Sequence, residues 1–191
     1  MRVFLNPGHA PNGNPDPGAS NRITGLRECD VAKNIADLVE KYLVVAGVEV
    51  VGNLQSDSLY EVVQSSNNLG ADVFISIHCN AFNEMANGTE VWHYHTSRDG
   101  KKLAECIQRQ IVDFLGTTDR GAKGAVPHTD NSLYVLNYTD ATSCLVECAF
   151  IDNPTDEELL RTRQDDFASA IARGVTDYEL EVGCFMKMDI I

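Results

Sequence analysis

The 191-residue chain carries 28 acidic and 15 basic residues, for a formal net charge of −13, and 43% of its residues are hydrophobic. This composition predicts a folded chain, and the length suits one domain with a substantial core. The excess of acidic residues and the lack of a lysine- or arginine-rich run argue against nucleic acid and anionic membrane surfaces as partners. No apolar run approaches the ~20 residues of a membrane span.

Strand-like segments alternate with helical ones along the chain. The predicted strands are apolar or alternating in polarity: RVFL, VEVVG, ADVFISIH, GTEVWHYHT, SLYVLNYT and SCLVECAFI. ADVFISIH is apolar on both faces, which predicts a central strand. About six strands separated by helices predict an α/β fold: a single three-layer domain with helices on both faces of the sheet.

The predicted helices have identifiable starts and ends. The first begins at Asp30 and ends at Gly47, and a capping-box pattern of Ser58 with Glu61 opens a second that runs to Gly70. Asp99 is expected to cap a third, and Thr155 with Glu158 forms another capping-box pattern. The predicted buried helix residues are Leu103, Ile107, Ile111 and Phe114 in the third helix, and Phe167, Ile171 and Val175 in the last.

Six cysteines lie at scattered positions: Cys29, Cys79, Cys106, Cys144, Cys148 and Cys184. They form neither a disulfide framework nor a Cys-x-x-Cys zinc spacing. We expect free, mostly buried thiols in a protein made in a reducing compartment. The apolar run of the N-terminus, MRVFLNPGHA, is too short for a signal-peptide core. This favours synthesis in the cytoplasm without that export signal, or a signal trimmed from the chain.

Four polar residues converge on the edge where α/β sheets place their ligand sites, beyond the carboxyl ends of the strands. His9 lies in the Pro-Gly loop after the first strand, His78 ends ADVFISIH, and Glu147 lies near the end of SCLVECAFI. Glu28 stands just before the first helix. Two histidines and one glutamate form a zinc ligand set that leaves the fourth position open for water. The remaining carboxylate would accept a proton from that water.

Each of these residues also has a purely structural interpretation. His9 suits a turn, His78 suits a hydrogen-bonded position at the edge of the core, and Glu28 suits a helix N-terminus through its charge. Glu147 is harder to explain in this way, because carboxylates are rare in apolar strands unless they are paired or functional. Their joint position at one sheet edge favours the catalytic interpretation.

A resemblance rests on motifs that occur in a fixed order: NPGHA, DPGA, GLRE, GADVFISIHCNA, TEVWHYH, RGAK, LYVL and LVECAFIDNPTDEELL. With these motifs the chain resembles the zinc-dependent N-acetylmuramoyl-L-alanine amidases, the type-3 amidase family of peptidoglycan hydrolases. The resemblance covers roughly residues 1–178. It implies a single α/β domain with a mixed, mostly parallel sheet, here a catalytic domain over 1–180 followed by a C-terminal tail over 181–191.

The resemblance also implies a site and an activity. His9, Glu28 and His78 match the family's metal ligands for one Zn²⁺ per chain, and Glu147 matches its catalytic glutamate. The implied reaction is hydrolysis of the amide bond between N-acetylmuramic acid and L-alanine, with the peptidoglycan stem as substrate. An endolysin or an autolysin that acts on the cell wall would fit. A zinc peptidase or deacetylase, or a non-catalytic peptidoglycan-binding module, remains an alternative. The sequence gives no indication of the oligomeric state.

The chain departs from the family pattern at position 6, where Asn6 replaces the usual aspartate. If that position orients His9, an amide replaces a carboxylate behind a metal ligand. Side-chain alternation along strands predicts that Cys79 and Cys148 point away from the site and are neither ligands nor nucleophiles. His93 and His95 are interpreted as surface or core residues, although a His-x-His pair can bind a metal. His128 is interpreted as a loop residue, with contact to a substrate as the alternative.

Overall fold

A computed structural model of the chain describes the backbone of residues 1–130 and 132–188 and the side chains of this part as far as residue 183. Within it the strands are β1 (Arg2–Pro7), β2 (Glu49–Asn53), β3 (Val73–Asn80), β4 (Thr89–Tyr94), β5 (Asp119–Ala125) and β6 (Thr142–Phe150). The helices are α1 (Glu28–Val45), α2 (Leu59–Asn68), α3 (Arg98–Leu115), α4 (Tyr134–Tyr138), α5 (Pro154–Thr162) and α6 (Gln164–Met188).

The described strands form one six-stranded sheet in the order β2-β1-β3-β6-β4-β5. All neighbouring pairs are parallel except β4 and β6, which run antiparallel. Helices cover both faces of this sheet. The predicted fold class, an α/β domain with a mixed, mostly parallel sheet, is therefore confirmed.

The two faces of the sheet carry different cores. Ile75 and Ile77 of β3 belong to the larger core, which α1, α3 and α6 cover. Phe74 of the same strand belongs to the smaller core, which includes residues of α2 and α4. Because side chains alternate along a strand, Ser76 and His78 lie on the same face as Phe74. The candidate site therefore opens on the α2 and α4 side of the sheet.

One predicted strand is wrong and one strand was missed. The segment SLYVLNYT contains α4, in which Val135 and Leu136 are buried against the smaller core. A short apolar run does not distinguish a strand from a helical turn. The sixth strand is instead β5, whose sequence DRGAKGA has no apolar alternation. It is an edge strand that pairs only with β4 in the described sheet, so charged and small residues are tolerated there.

Two predicted helix caps are displaced by two residues. Ser97, not Asp99, caps α3, and its hydroxyl accepts a hydrogen bond from the Gly100 amide. Asn153, not Thr155, caps α5 through its side-chain oxygen. The predicted cap at Ser58 of α2 is confirmed. In both cases the residue immediately before the first helical residue is polar, and its side-chain oxygen accepts hydrogen bonds from the free amides of the first turn.

The buried faces of α3 and α6 are confirmed except at Phe114, which is more than half exposed. Helix α1 begins at Glu28 instead of Asp30, so this carboxylate belongs to the first helical turn. Helix α6 continues through Met188, so residues 181–188 of the predicted tail extend a helix, and 189–191 lie outside the described residues. The division into a domain over 1–180 and a tail stays a prediction.

The described thiols agree with the expectation of free, buried cysteines: Cys29, Cys79, Cys106, Cys144 and Cys148. The side chain of Cys184 lies outside the described part. Cys79 and Cys148 belong to the larger core, on the face of the sheet opposite His78. Among the described helices, none is long and apolar enough to cross a membrane.

Candidate metal centre and active site

The position of His9 is set by the turn that follows β1. The Gly8 amide donates to the Ile77 carbonyl of β3 at 2.9 Å, so the first strand stays paired up to the residue before the histidine. His9 itself has φ of +66°, a left-handed backbone that residues other than glycine rarely adopt. Such local strain is common at functional sites, where the surrounding structure holds it. The turn brings the imidazole over the strand ends.

Glu28 is the first residue of α1, and it is almost fully buried. Its Oε1 lies 2.9 Å from Nδ1 of His78 and accepts a hydrogen bond from the Cys79 amide at 3.0 Å. Its Oε2 lies 2.9 Å from Nε2 of His9 and accepts a hydrogen bond from the Ala19 amide at 2.8 Å. Both oxygens are therefore fully engaged, and one carboxylate joins two histidines that are far apart in sequence.

His9, Glu28 and His78 each offer one donor atom, and these three atoms all lie within 4.8 Å of one another. Two imidazole nitrogens and one carboxylate oxygen at this spacing fit a catalytic zinc site with an open position. In the described part of the chain, no other group of three such residues lies this close.

Two glycines leave the space that these side chains need. A Cβ at Gly8 would lie 2.3 Å from Cε1 of His78. A Cβ at Gly18, which has φ of +68°, would lie 2.5 Å from Cδ2 of His9 and 2.6 Å from Oε2 of Glu28. No side chain fits at such distances, so the glycines of NPGHA and DPGA are required for the packing of the ligand set.

The charges of the three residues are strongly coupled. Burial lowers the pKa of His9, but hydrogen bonds and charge attraction to Glu28 and Asp16 outweigh it and raise the pKa to about 9. Burial alone would raise the pKa of Glu28, yet the bonds to His78 and His9 hold it far below its usual range. His9 is therefore protonated at neutral pH in this arrangement and pairs with the Glu28 carboxylate.

Glu147 lies beside this cluster on β6, the central neighbour of β3. It is the register partner of His78 in the parallel β3–β6 ladder and of Glu90 in the antiparallel β4–β6 ladder. Its Oε2 is buried and has no hydrogen-bond partner. Burial, with smaller contributions from the charges of Glu28 and Glu90, raises the pKa of Glu147 to about 7 despite the opposing effect of His78.

Two adjacent clefts reach the site. The first, of about 280 Å³, is lined by His9 and His78 and extends to Leu59 of α2 and Tyr134 of α4. The second, of about 230 Å³, is lined by Glu147 together with Glu90, Trp92, Asn80 and Asp130. Leu133 borders both clefts. A substrate that crosses Leu133 would thus contact the metal ligands on one side and Glu147 on the other.

Sequence reasoning missed Asp16, which contacts His9 directly. Asp16 Oδ2 accepts a hydrogen bond from Nδ1 of His9 at 2.7 Å. Asn6, the position expected to orient His9, instead donates to the carbonyls of Pro7 and Leu54 and accepts from Ser76. The motif DPGA contained the relevant signal, because an aspartate beside a tight turn lies close to the loop's other residues.

The other histidines lie away from the metal ligands. His93 is buried, and its Nδ1 contacts the Tyr94 carbonyl at 2.9 Å. The ring of His95 packs near that of Tyr94. His128 is exposed and lines a separate cavity of about 370 Å³ with Tyr134 and Tyr138. None of the three belongs to the donor cluster.

An α/β domain that presents this donor set and a second, partly buried glutamate at its strand ends has the architecture of a metal-dependent hydrolase. The family model described as N-acetylmuramoyl-L-alanine amidase matches residues 3–177, and the chain belongs to this family. The family and the class of enzyme predicted from the motifs, a hydrolase of linear amides, are thereby confirmed. Members of this family are typically metal-dependent.

Individual relatives agree with this assignment. N-acetylmuramoyl-L-alanine amidase LytC of Bacillus subtilis is 36% identical over 92% of this chain, which spans only 35% of that relative. The germination-specific N-acetylmuramoyl-L-alanine amidase of the same organism is 30% identical over 95% of this chain and 81% of its own length. A crystal structure of N-acetylmuramoyl-L-alanine amidase from Clostridium difficile 630 matches with a TM-score of 0.82 and 32% identity, over 93% of this chain and 95% of that one.

Proposed function

We propose that this chain hydrolyses the amide bond between the lactyl group of N-acetylmuramic acid and the L-alanine of the stem peptide in peptidoglycan. His9, Glu28 and His78 would hold one Zn²⁺, and Glu147 would act as the general base. The proposal depends above all on one observation, the position of the unpartnered Glu147 directly beside His78 in the β3–β6 ladder. The printed names of the relatives support the substrate and an action at the cell wall.

The ligand roles follow from the chemistry of the donors. Zn²⁺ binds imidazole nitrogen and carboxylate oxygen at about 2.0–2.2 Å, and three protein ligands leave one position for water or substrate. When bound, the metal supplies a Lewis acid that polarises the scissile carbonyl and makes water a stronger acid. Gly8 and Gly18 give the three ligands room to converge.

The two glutamates have opposite environments, which assigns them different roles. Both oxygens of Glu28 accept hydrogen bonds and its pKa is depressed, so it remains a carboxylate and is a poor proton acceptor. Glu147 has a buried oxygen without a partner and a pKa of about 7, close to the value that suits a general base at neutral pH. Glu147 would take a proton from the attacking water and deliver it to the leaving amine of L-alanine.

The two clefts suggest how the substrate lies. The stem peptide and the muramoyl group extend in opposite directions from the scissile amide, and the clefts on the two sides of Leu133 provide two such directions. The chemistry would occur where the clefts meet, between His78 and Glu147. An endolysin or an autolysin that acts on the cell wall would use this activity.

The decisive experiment compares Glu147→Gln with Glu28→Gln. The first variant should fold, keep its zinc and lose turnover by roughly 10²–10⁴-fold, because glutamine cannot accept the proton. The second should lose zinc as well as activity. Loss of zinc from the Glu147 variant, with retention in the Glu28 variant, would mean that the two roles are reversed.

The products of a peptidoglycan digest show which bond the protein cleaves. An amidase releases intact stem peptides that begin with a free L-alanine amine, which mass spectrometry identifies. A zinc peptidase would give fragments cut within the stem, and a deacetylase would release acetate. A zinc-loaded protein that binds peptidoglycan but releases no product would be a binding module.

A further inference from the structure

Asn6 is a buried amide whose orientation is fixed by its surroundings. It is 3% exposed, and its Nδ2 donates to the carbonyls of Pro7 at 3.1 Å and Leu54 at 3.0 Å. Both amide protons are thus used. A flipped amide would set Oδ1 against two carbonyl oxygens and leave both of them without a donor. The Oδ1 atom must therefore face Ser76.

Ser76 lies two residues before His78 on the same face of β3, and it is fully buried. Its Oγ lies 2.8 Å from Oδ1 of Asn6 and 3.1 Å from Nε2 of His78. An amide oxygen cannot donate, so the single hydroxyl proton of Ser76 belongs to the bond with Asn6. Ser76 Oγ can therefore only accept a hydrogen bond from the imidazole.

These hydrogen bonds also determine which nitrogen of His78 carries a proton. Since Ser76 can only accept, Nε2 of His78 must carry a proton. The other nitrogen, Nδ1, lies 2.9 Å from Oε1 of Glu28, inside the donor cluster. We propose that Asn6 and Ser76 form a buried relay that keeps a proton on Nε2 of His78, fixes the ring, and leaves Nδ1 as the atom that faces the metal. This inference rests on the proposed function for the identity of the metal.

The relay explains the residue at position 6. An aspartate of the same size could accept from Ser76, but it has no proton for the carbonyls of Pro7 and Leu54. Asparagine satisfies all three neighbours at once. In this chain the amide therefore positions His78, whereas His9 is oriented by Asp16. Partners of this kind behind a metal ligand typically affect metal affinity by 10–100-fold.

The test compares Ser76→Ala with Ser66→Ala. Both serines are fully buried, but the hydroxyl of Ser66 has no hydrogen-bond partner, so its variant controls for removal of a buried oxygen. Zinc affinity, measured by competition with a chromophoric chelator, should fall by roughly 10–100-fold in Ser76→Ala and stay unchanged in Ser66→Ala. Equal affinities of the two variants would overturn the relay.

A second measurement locates the proton of His78 directly. In ¹H–¹⁵N spectra of the wild-type protein, His78 should show a proton on Nε2 that exchanges slowly with solvent, with zinc and without it. Ser76→Ala should lose the slow exchange of this proton, whereas a merely structural defect elsewhere would not change it selectively. A zinc-loaded protein with the proton on Nδ1 of His78 would contradict the relay.

The two proposals can fail separately. A wild-type protein that binds no zinc would contradict the proposed function, and the Nε2 proton of metal-free His78 would still test the relay. A protein whose zinc affinity depends on Ser76 but which releases no stem peptide would retain the relay and lose the amidase assignment.

Discussion

Asp16 Oδ2 lies 2.7 Å from Nδ1 of His9, on the side of the imidazole opposite the donor cluster. The other oxygen of Asp16 accepts a hydrogen bond from the Gly18 amide at 2.9 Å, which holds the carboxylate in place. The bond leaves Nε2 of His9 directed at Glu28, 2.9 Å away. A carboxylate in this position fixes the tautomer of a ligating histidine and increases its basicity.

Asp16→Asn should therefore weaken metal binding. Asparagine keeps the size of the side chain but removes the charge that stabilises the ligand, so we expect zinc affinity to fall by about 10-fold or more. Asp57 lines the same cleft and has no contact with His9 in the described structure, so Asp57→Asn is the control. Chelator competition measures both. Unchanged affinity in Asp16→Asn would show that the contact is not used in metal binding.

Zinc binding should release a proton from His9. Its pKa in the metal-free protein is about 9, so the imidazole is protonated at pH 7 and must become neutral to ligate. Zinc affinity should rise between pH 7 and 9 and then level off. Titration calorimetry at pH 7 in buffers of different ionisation enthalpy gives the number of protons, and His9→Ala should reduce it. Affinity that is constant between pH 7 and 9 would contradict the raised pKa.

The four residues of the proposed site were predictable because each stands where it is chemically unusual. His78 and Glu147 interrupt apolar strands, and His9 and Glu28 flank the first βα loop. Their convergence follows from parallel strands, whose carboxyl ends share one edge. Their roles stay predictions until the variants are measured.

The residues behind the site were not predictable in the same way. Ser76 is an ordinary strand residue in sequence, and only the fold shows that its hydroxyl lies between Asn6 and His78. Asp16 lies in a loop whose course depends on the packing around Gly18. The edge strand β5 was missed because Ala125 is its only fully buried residue, so its sequence carries no apolar alternation.

The thiols that follow His78 and Glu147 in sequence should be dispensable for catalysis. Cys79 and Cys148 lie in the larger core on the opposite face, and burial raises the pKa of both thiols, so neither supplies a thiolate. Cys79→Ala and Cys148→Ala should keep zinc and turnover, with a loss in the free energy of unfolding of about 1 kcal/mol. A folded, zinc-loaded variant without activity would reopen a role for the thiol.

Glu147 should make the metal-free protein less stable as the pH rises. Its folded pKa of about 7 exceeds the ordinary value of 4.5, so the fold favours the protonated form. The resulting stabilisation is present below pH 4.5 and is lost as the pH rises through about 7. Glu147→Gln should thus be more stable than the wild type at pH 8, by on the order of 1–3 kcal/mol, and the difference should shrink at pH 4.5. Denaturant unfolding at pH 8 and pH 4.5 measures this difference in the free energy of unfolding. Glu105→Gln, at an exposed position, is the control.

Glu90 should tune the proton affinity of Glu147. The two carboxylates are register partners across the β4–β6 ladder, and the charge of Glu90 raises the pKa of Glu147. Arg120 and Lys123 each contact Oε2 of Glu90 at 2.6 Å. Glu90→Gln removes one negative charge and leaves these two cations without their partner. Both changes favour the ionised form of Glu147, so its pKa should fall.

The pH dependence of kcat/KM on a soluble muropeptide tests this coupling. The acid limb reports the protonation of the general base in the free enzyme, so in Glu90→Gln it should move to lower pH by about 0.5–1 unit. Glu105→Gln, far from the site on α3, should leave the limb in place. If the limb moves to higher pH in Glu90→Gln, the base is not Glu147, because removing a neighbouring negative charge cannot raise the pKa of a carboxyl group by charge interaction alone.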